Sequence, residues 1–390
     1  MKIFKIKNNL LCKNKYIPVY KDELTLFNKG KKIILKLKIL FYFIFIFIAI
    51  LFIIIYLFNL NKKKLFANYS NLKDGLKEIL KEDEIIENVM MSKFTTFKLG
   101  GEAKFLVKPK EIKQIVEIIK LCNKYKINFF ILGNGSNLLV SDNGYNGVII
   151  HIHENNFSDL EIIKKDENNY ILKVGGGMLM KTLSIEACLL SLTGLEDIVD
   201  IPGTVGGGII MNASFKGEGL KNPLSKVKII TPEGNILYLT KEECKLRPRG
   251  SLLKDKKYLV IEAIFELKKG DQMIIQKTMT DNTKMRYENQ PMYFGSAGSF
   301  FIWHKDKTGS LYEKYKECNL VGYRIGDIMI YTYNISFIVN LGKGTASQVM
   351  DLVTYIEKII KDKYNIEIQR EVIVIGSFNS NNNKNKFLNL

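Results

Sequence analysis

With 390 residues, 46% hydrophobic and 11% aromatic, the chain can bury two or three domain cores, which excludes disorder as a whole. The net charge of +18 is concentrated at the front: residues 1–64 hold 14 lysines against Asp22 and Glu23, so the rest is a mildly basic, solvated surface and not a nucleic-acid footprint. Five widely spaced cysteines without a CxxC exclude a disulfide framework and fit a reducing compartment, and three histidines, two of them on one strand face in His151-Ile152-His153, exclude a histidine-rich metal site.

In chain order, residues 1–38 form a basic segment. Residues 39–60 carry no charge over 22 positions, enough as a helix to cross a hydrocarbon core of about 30 Å. Lys31, Lys32, Lys36 and Lys38 before the run and Lys62, Lys63 and Lys64 after it suit the two interfaces, so a transmembrane anchor is expected. The run exceeds the roughly 7–15 residues of a cleaved signal, and no A-x-A site follows. Lysines on the two sides balance, which leaves orientation open, and Met90 or Met91 offers a later start that would omit the anchor.

Residues 61–92 read as a linker and a helix, because Leu and Ile alternate with Lys and Glu at helical period over 71–88. The same period returns over 112–125. Apolar, β-rich runs predict strands at 129–132, 148–151, 170–174, 209–211, 227–230, 259–265, 336–340 and 372–375, with helices near 180–190 and 346–364. Elements that alternate without a regular βαβ rhythm, and without an internal repeat, give an α+β protein. The asparagine-rich tail, 379–390, is expected to be disordered.

Three glycine-rich segments punctuate this pattern: Leu132-Gly-Asn-Gly-Ser-Asn-Leu138, Val174-Gly-Gly-Gly-Met178 and Ile201-Pro-Gly-Thr-Val-Gly-Gly-Gly208. Glycines let the backbone approach a ligand closely, so that successive N–H groups converge on phosphate oxygens, and Ser136 and Asn137 add side-chain donors. None has the spacing of a dinucleotide fingerprint, and none closes with the G-K-[ST] of a Walker loop. Taken singly, each such loop is more often a tight turn than a phosphate site.

Their order carries more. Thr95-Thr-Phe-Lys-Leu-Gly-Gly101, then LGNGSNLLVSD from Leu132, then Gly194-Leu-Glu-Asp-Ile198 running into IPGTVGGGIIMNA from Ile201, resembles the family of UDP-N-acetylenolpyruvoylglucosamine reductases. The resemblance spans residues 95–376 and is to the shorter class, which lacks an inserted tyrosine-bearing lid. It implies a vanillyl-alcohol-oxidase-type FAD-binding unit of two subdomains over 93–268, then an α+β substrate domain over 269–378. By position, Gly133, Asn134, Gly135, Ser136 and Asn137 would cradle the FAD pyrophosphate, with Thr96, Leu132 and Asn212 as further cofactor contacts. Gly203, Thr204, Val205, Gly206 and Gly207 would run beside the isoalloxazine and adenine.

The chemistry implied is reduction of FAD by NADPH, then reduction of the enolpyruvyl ether of a UDP-amino sugar. Charge developing on a carboxylate-bearing carbon calls for a cation, hydrogen-bond donors and a positioned acid. The resemblance places these at Arg249, Ser299 and Glu371, with Arg286 and Gln290 beside the nucleotide or sugar. Arg247 stands as an alternative to Arg249, because Pro248 occupies the place of the family's usual tyrosine. Two further departures are Ile302 or Trp303 where the family carries a lysine, and Asn334 with Ser336 in the segment Thr332 to Phe337. A monomer with no metal and no nucleic-acid partner is expected, its catalytic part cytoplasmic and tethered to the inner membrane. A tethered flavoprotein scaffold with weakened turnover, or another FAD-dependent oxidase of the superfamily, are the alternatives.

Overall fold

The computed structural model describes residues 19–215, 219–302 and 310–378; the expected disordered tail at 379–390, the first part of the basic segment and Trp303 lie outside the described residues. The chain divides into two compact units, Met1–Ala67 and Asn68–Leu390, and the helix α1 (Val19–Ile79) runs from one into the other. In the first unit the helix leaves its apolar side chains exposed, Phe45 by 71% and Phe52 by 68%. It is long and apolar enough to cross a membrane.

In the second unit, Leu72 and Leu76 on the last turns of α1 are fully buried. The expected helix over 71–88 stops early. A 3-10 turn at Glu82–Glu84 follows, and residues 85–90 form a strand, β1 (Ile85–Met90). The reason is tertiary: Ile85, Ile86 and Val89 are β-branched and pair antiparallel with β2 (Glu102–Val107), which local helical period does not register. Next come α2 (Ile112–Tyr125), β3 (Phe129–Leu132), β4 (Leu138–Val140) and β5 (Tyr145–His151). The sheet order β1-β2-β5-β3 is covered by α2, whose Ile115, Ile118, Ile119 and Cys122 pack on Phe105, Val148 and Ile150.

The following segment holds β6 (Leu160–Lys165), β7 (Asn169–Gly175), α3 (Met180–Leu189), β8 (Leu192–Thr193), α4 (Val205–Met211), β9 (Leu224–Ile230), β10 (Ile236–Thr240), α5 (Leu252–Asp255) and β11 (Leu259–Lys269). The strands form an antiparallel sheet ordered β10-β9-β11-β7-β6, with β8 also paired to β11. Leu183 of α3 and Val205 and Ile209 of α4 pack on Leu172, Val227 and Phe265 of that sheet. The strand expected at 209–211 is therefore the end of a helix. Thr204 caps it by accepting from the Gly207 N–H at 3.3 Å, and a three-residue apolar run has no periodicity to separate strand from buried helix.

The last segment contains α6 (Gln272–Asn289), β12 (Gly295–Ser299), β13 (Phe301–Ile302), α7 (Leu311–Glu317), β14 (Arg324–Ile325), β15 (Ile328–Ile330), β16 (Phe337–Asn340), α8 (Ala346–Tyr364), β17 (Gln369–Arg370) and β18 (Ile373–Ile375). The sheet β12-β16-β15-β14 shares a core with α8, through Ile330, Ile338, Leu352, Val353 and Ile356. The chain then returns to the first sheet region, where β18 pairs in parallel with β4. Asp142, just after β4, accepts from the N–H groups of Ala346 and Ser347 at 2.8 Å each, so a carboxylate satisfies the first orphan donors of α8.

Candidate active site

The glycine loop after β3 is shaped by backbone crowding. Gly135 has φ +60°, and a Cβ there would stand 2.1 Å from the Phe94 carbonyl oxygen. At Gly133 a Cβ would meet the Thr204 Oγ1 at 2.6 Å, so only glycine lets this loop lie against the start of α4. Thr96 holds the loop from outside, its N–H donating to the Gly135 carbonyl at 3.2 Å and its hydroxyl to the Ser296 carbonyl at 2.7 Å. Among the described residues, no backbone N–H of residues 133–137 donates to a protein acceptor. Five successive residues that line the cavity thus carry unpaired N–H donors, the kind of donor set a pyrophosphate needs.

This loop forms one wall of a cavity of about 700 Å³. Thr96, Leu132, Gly133, Asn134, Gly135, Ser136, Asn137, Gly203, Thr204, Gly207, Arg249, Arg286, Gln290, Ser299 and Glu371 all line it. Val205, Gly206 and Asn212 do not: Val205 is fully buried, a Cβ at Gly206 would stand 2.7 Å from the Val260 carbonyl oxygen, and Asn212 Nδ2 donates to the Arg247 carbonyl at 3.2 Å. Gly175, Gly176 and Gly177 are also outside the lining. They serve close backbone packing, Gly176 donating to Ile261 O and accepting from Gly206 N, both at 2.8 Å. Asn334, one of the departures in the segment Thr332 to Phe337, lines the cavity, and so do Asp200, Phe215, Met292 and Tyr293, which sit in no motif whose spacing signals a ligand contact.

Glu371 and Ser299 are fixed by their strands. The Glu371 N–H donates to the Phe300 carbonyl at 2.9 Å, its own carbonyl accepts from Asn137 Nδ2 at 3.3 Å, and the preceding Arg370 grips Glu357 of α8 through two bonds at 2.5 and 2.7 Å. Ser299 stands opposite Phe337, one step past a bulge in which Gly298 takes φ +79°; the extra residue re-aims the strand end at the cavity. Arg249 Nε lies 3.5 Å from Glu371 Oε2, and its Nη1 donates to the Ser214 carbonyl at 3.4 Å. Arg247 instead pairs with Asp255 at 2.6 Å, half-exposed and away from the cavity. Ile302 is engaged in the β13–β17 pairing, opposite Gln369.

Burial pushes the Glu371 carboxyl above the ordinary range, with Arg249 and Lys254 pulling the other way. A carboxyl of this kind keeps its proton more readily near neutrality. Burial would raise Asp200 as well, but the Lys181 ammonium at 2.7 Å and the Thr283 hydroxyl at 2.5 Å bring it below the usual range. Arg286 is 5% exposed, its guanidinium carbon stands 5.2 Å from the Phe215 ring centroid, and its Nε has no partner. A buried cation with an orphaned donor on a cavity wall is a fit for an anionic ligand.

On the other side of the loop, a smaller pocket of about 270 Å³ is lined by Lys93, Thr95, Asn134 and His151. His151 stacks on His153 at 4.3 Å and meets Phe94 edge-on at 5.6 Å. Burial pushes its imidazole down to about 3, with His153 and Lys108 adding to the effect. The folded chain therefore binds fewer protons here than the unfolded chain, whose imidazole titrates near 6.5. This contribution is fully present above that value and is lost as pH falls from about 6.5 to about 3, on the order of a few kcal/mol. His151→Phe is expected to narrow the stability difference between about pH 7 and pH 4 in denaturant unfolding; an unchanged difference would refute this.

A family model described as an FAD binding domain matches residues 103–240, and one described as the UDP-N-acetylenolpyruvoylglucosamine reductase C-terminal domain matches residues 290–375. The chain is 34% identical over 302 residues to the UDP-N-acetylenolpyruvoylglucosamine reductase of Lachnoclostridium phytofermentans, covering 77% of this chain and 96% of that one. It is 37% identical over 311 residues to the Bacillus pumilus reductase, covering 79% and 99%. The crystal structure of the Thermus caldophilus reductase matches with a TM-score of 0.61 at 28% identity, over 74% of this chain and 98% of that one.

Proposed function

Because the chain belongs to the UDP-N-acetylenolpyruvoylglucosamine reductase family, with its FAD-binding fold of mixed α/β content and its C-terminal domain, we propose a division of labour among the residues that line the cavity. The chain is an FAD-dependent oxidoreductase that reduces UDP-N-acetylenolpyruvoylglucosamine in peptidoglycan precursor synthesis. FAD, when bound and reduced by NADPH, would supply the hydride for the terminal vinyl carbon of the substrate.

The unpaired N–H groups of residues 133–137 would hold the cofactor pyrophosphate, and Gly203, Thr204 and Gly207 would let the rest of the cofactor approach the backbone. Arg249 forks onto the substrate carboxylate and stabilises the negative charge that develops beside it. Ser299 gives its proton to the carbon bearing that carboxylate, completing the reduction of the double bond, and Glu371, with its raised affinity for a proton, restores the hydroxyl. Arg286 and Gln290 hold the anionic nucleotide portion. The observation that carries this reading is the convergence of Arg249, Ser299 and Glu371 on the cavity walled by the glycine loop.

The apolar run at 39–60 anchors the enzyme in the membrane, with the catalytic unit on the cytoplasmic side, where UDP-sugars and NADPH are found. One preparation tests both parts. Inverted membrane vesicles are expected to oxidise NADPH only when given the enolpyruvyl UDP-sugar, and intact spheroplasts not at all. Oxidation by intact spheroplasts would sink the orientation, and vesicles that bind FAD without substrate-dependent oxidation would sink the division of labour.

A further inference from the structure

Arg249 adopts φ +56°, in the left-handed region that opposes any side chain with a Cβ. The Arg247 N–H donates to the Gly250 carbonyl at 3.0 Å, and the Gly250 N–H returns to the Arg247 carbonyl at 3.1 Å, closing a four-residue turn. Pro248 takes the first inner position, where its ring fixes φ near about −65°, and Arg249 takes the second. Proline followed by a positive φ is the type II pattern, whose second inner position normally belongs to glycine or asparagine. An arginine there is strained, and strain of this sort persists only where the surroundings over-determine it.

The surroundings do so from the helix that starts at the cofactor loop. Asn212, the left-handed residue that ends α4, donates its Nδ2 to the same Arg247 carbonyl at 3.2 Å. Two residues earlier, the Ile210 carbonyl accepts from the Ser251 hydroxyl at 2.7 Å, immediately after the turn. The turn is thus held on both flanks by the C-terminal end of α4, while Arg247 is pinned outward on Asp255. Neither Pro248 nor Asn212 lines the cavity.

We propose that this turn is a positioning device: Pro248 and Asn212 force Arg249 into its left-handed conformation so that the guanidinium faces Glu371 at the cavity wall. Pro248 and Asn212 are positioning residues, acting through the arginine. Release of the turn to an all-negative-φ form rotates the Cα–Cβ bond of Arg249 and abandons the 3.5 Å approach to Glu371. Because Thr204, which caps α4, stands against Gly133 of the glycine loop, the device also ties the arginine to the element that frames the cofactor. The inference rests on the reading of Arg249 as the cation that binds the substrate carboxylate.

The test uses the full chain in detergent and follows the two half-reactions separately by stopped flow, with melting temperature and flavin content alongside. In Pro248→Ala, and in Asn212→Gly, which keeps a residue suited to the left-handed cap and removes only the amide, oxidation of the reduced flavin by substrate is expected to slow on the order of tenfold. Reduction of the flavin by NADPH and flavin content should stay at the parental level. In Arg249→Gly, where glycine suits the φ, the melting temperature should equal or exceed the parent's while the substrate half-reaction collapses, and added guanidinium ion should restore part of it. Parental substrate rates in both Pro248→Ala and Asn212→Gly would overturn the device; should Pro248→Ala fail to fold, Asn212→Gly decides alone. A parental substrate rate in Arg249→Gly would instead overturn the assignment of Arg249, so the two failures are distinguishable.

Discussion

Arg249→Ala is expected to lower the rate of substrate reduction by about 10²–10³-fold, the loss typical when a charge-stabilising donor leaves a preorganised site. Two effects act together. The developing negative charge loses its cation, and Glu371 loses the neighbour 3.5 Å away that offsets its burial, so its carboxyl moves still further above the ordinary range. Arg247→Ala, which removes a half-exposed pair with Asp255, should leave the rate within about threefold, because surface pairs of this kind contribute about 0–1 kcal/mol. Steady-state kinetics on the two variants separates the arginines that the sequence leaves as alternatives. Equal losses in both would remove the basis for choosing Arg249.

Gly135→Val should abolish flavin retention. Any Cβ at this position is driven to 2.1 Å from the Phe94 carbonyl oxygen, and φ +60° is hostile to a β-branched residue in particular. The loop must shift by more than an ångström to accommodate it, and the five unpaired N–H groups move with it. The rest of the body keeps its cores, so the variant is expected to purify as a colourless, folded protein by circular dichroism. A yellow variant with one flavin per chain would show that the loop is not what holds the cofactor. Gly298→Ala is an informative contrast: its φ is +79°, but a Cβ there meets nothing within 4 Å, so the cost is backbone strain without collision.

What was legible in the sequence follows physical lines. Helices α2 and α8 were delimited to the residue because each carries a sustained amphipathic period and ends at a left-handed residue, Lys126 and Asn365. By contrast, α6 has a mostly polar surface with few buried residues, Ile275, Met279, Asn282 and Arg286 among them, and offers no apolar stripe to read. The strand β1 was hidden because Ile and Val spaced for pairing with β2 overlap a run of Glu and Lys with helical period. In the site, motifs gave the cavity wall wherever backbone geometry demands particular residues, as at Gly133 and Gly135. They were silent on Asp200, Phe215 and Tyr293, whose place in the lining comes from long-range folding. Nor did any motif show that Asn212 faces a turn and not the cavity; that follows from the left-handed cap that closes α4.

The parallel pairing of β18 with β4 has a consequence for how this enzyme is made. Asn137, in the glycine loop after β3, bonds to the carbonyl of Glu371, 234 residues further along the chain, and its own carbonyl accepts from Ile373. At about 5–20 residues per second, a ribosome takes roughly 10 to 50 s to synthesise that interval. Throughout it the loop has no partner on that side. Only after the last strand emerges can the loop be clamped and Glu371 brought beside it, so this wall of the cavity is completed at the end of biosynthesis. A nascent chain that stalled anywhere before residue 371 would lack both bonds that tie this loop to the last strand.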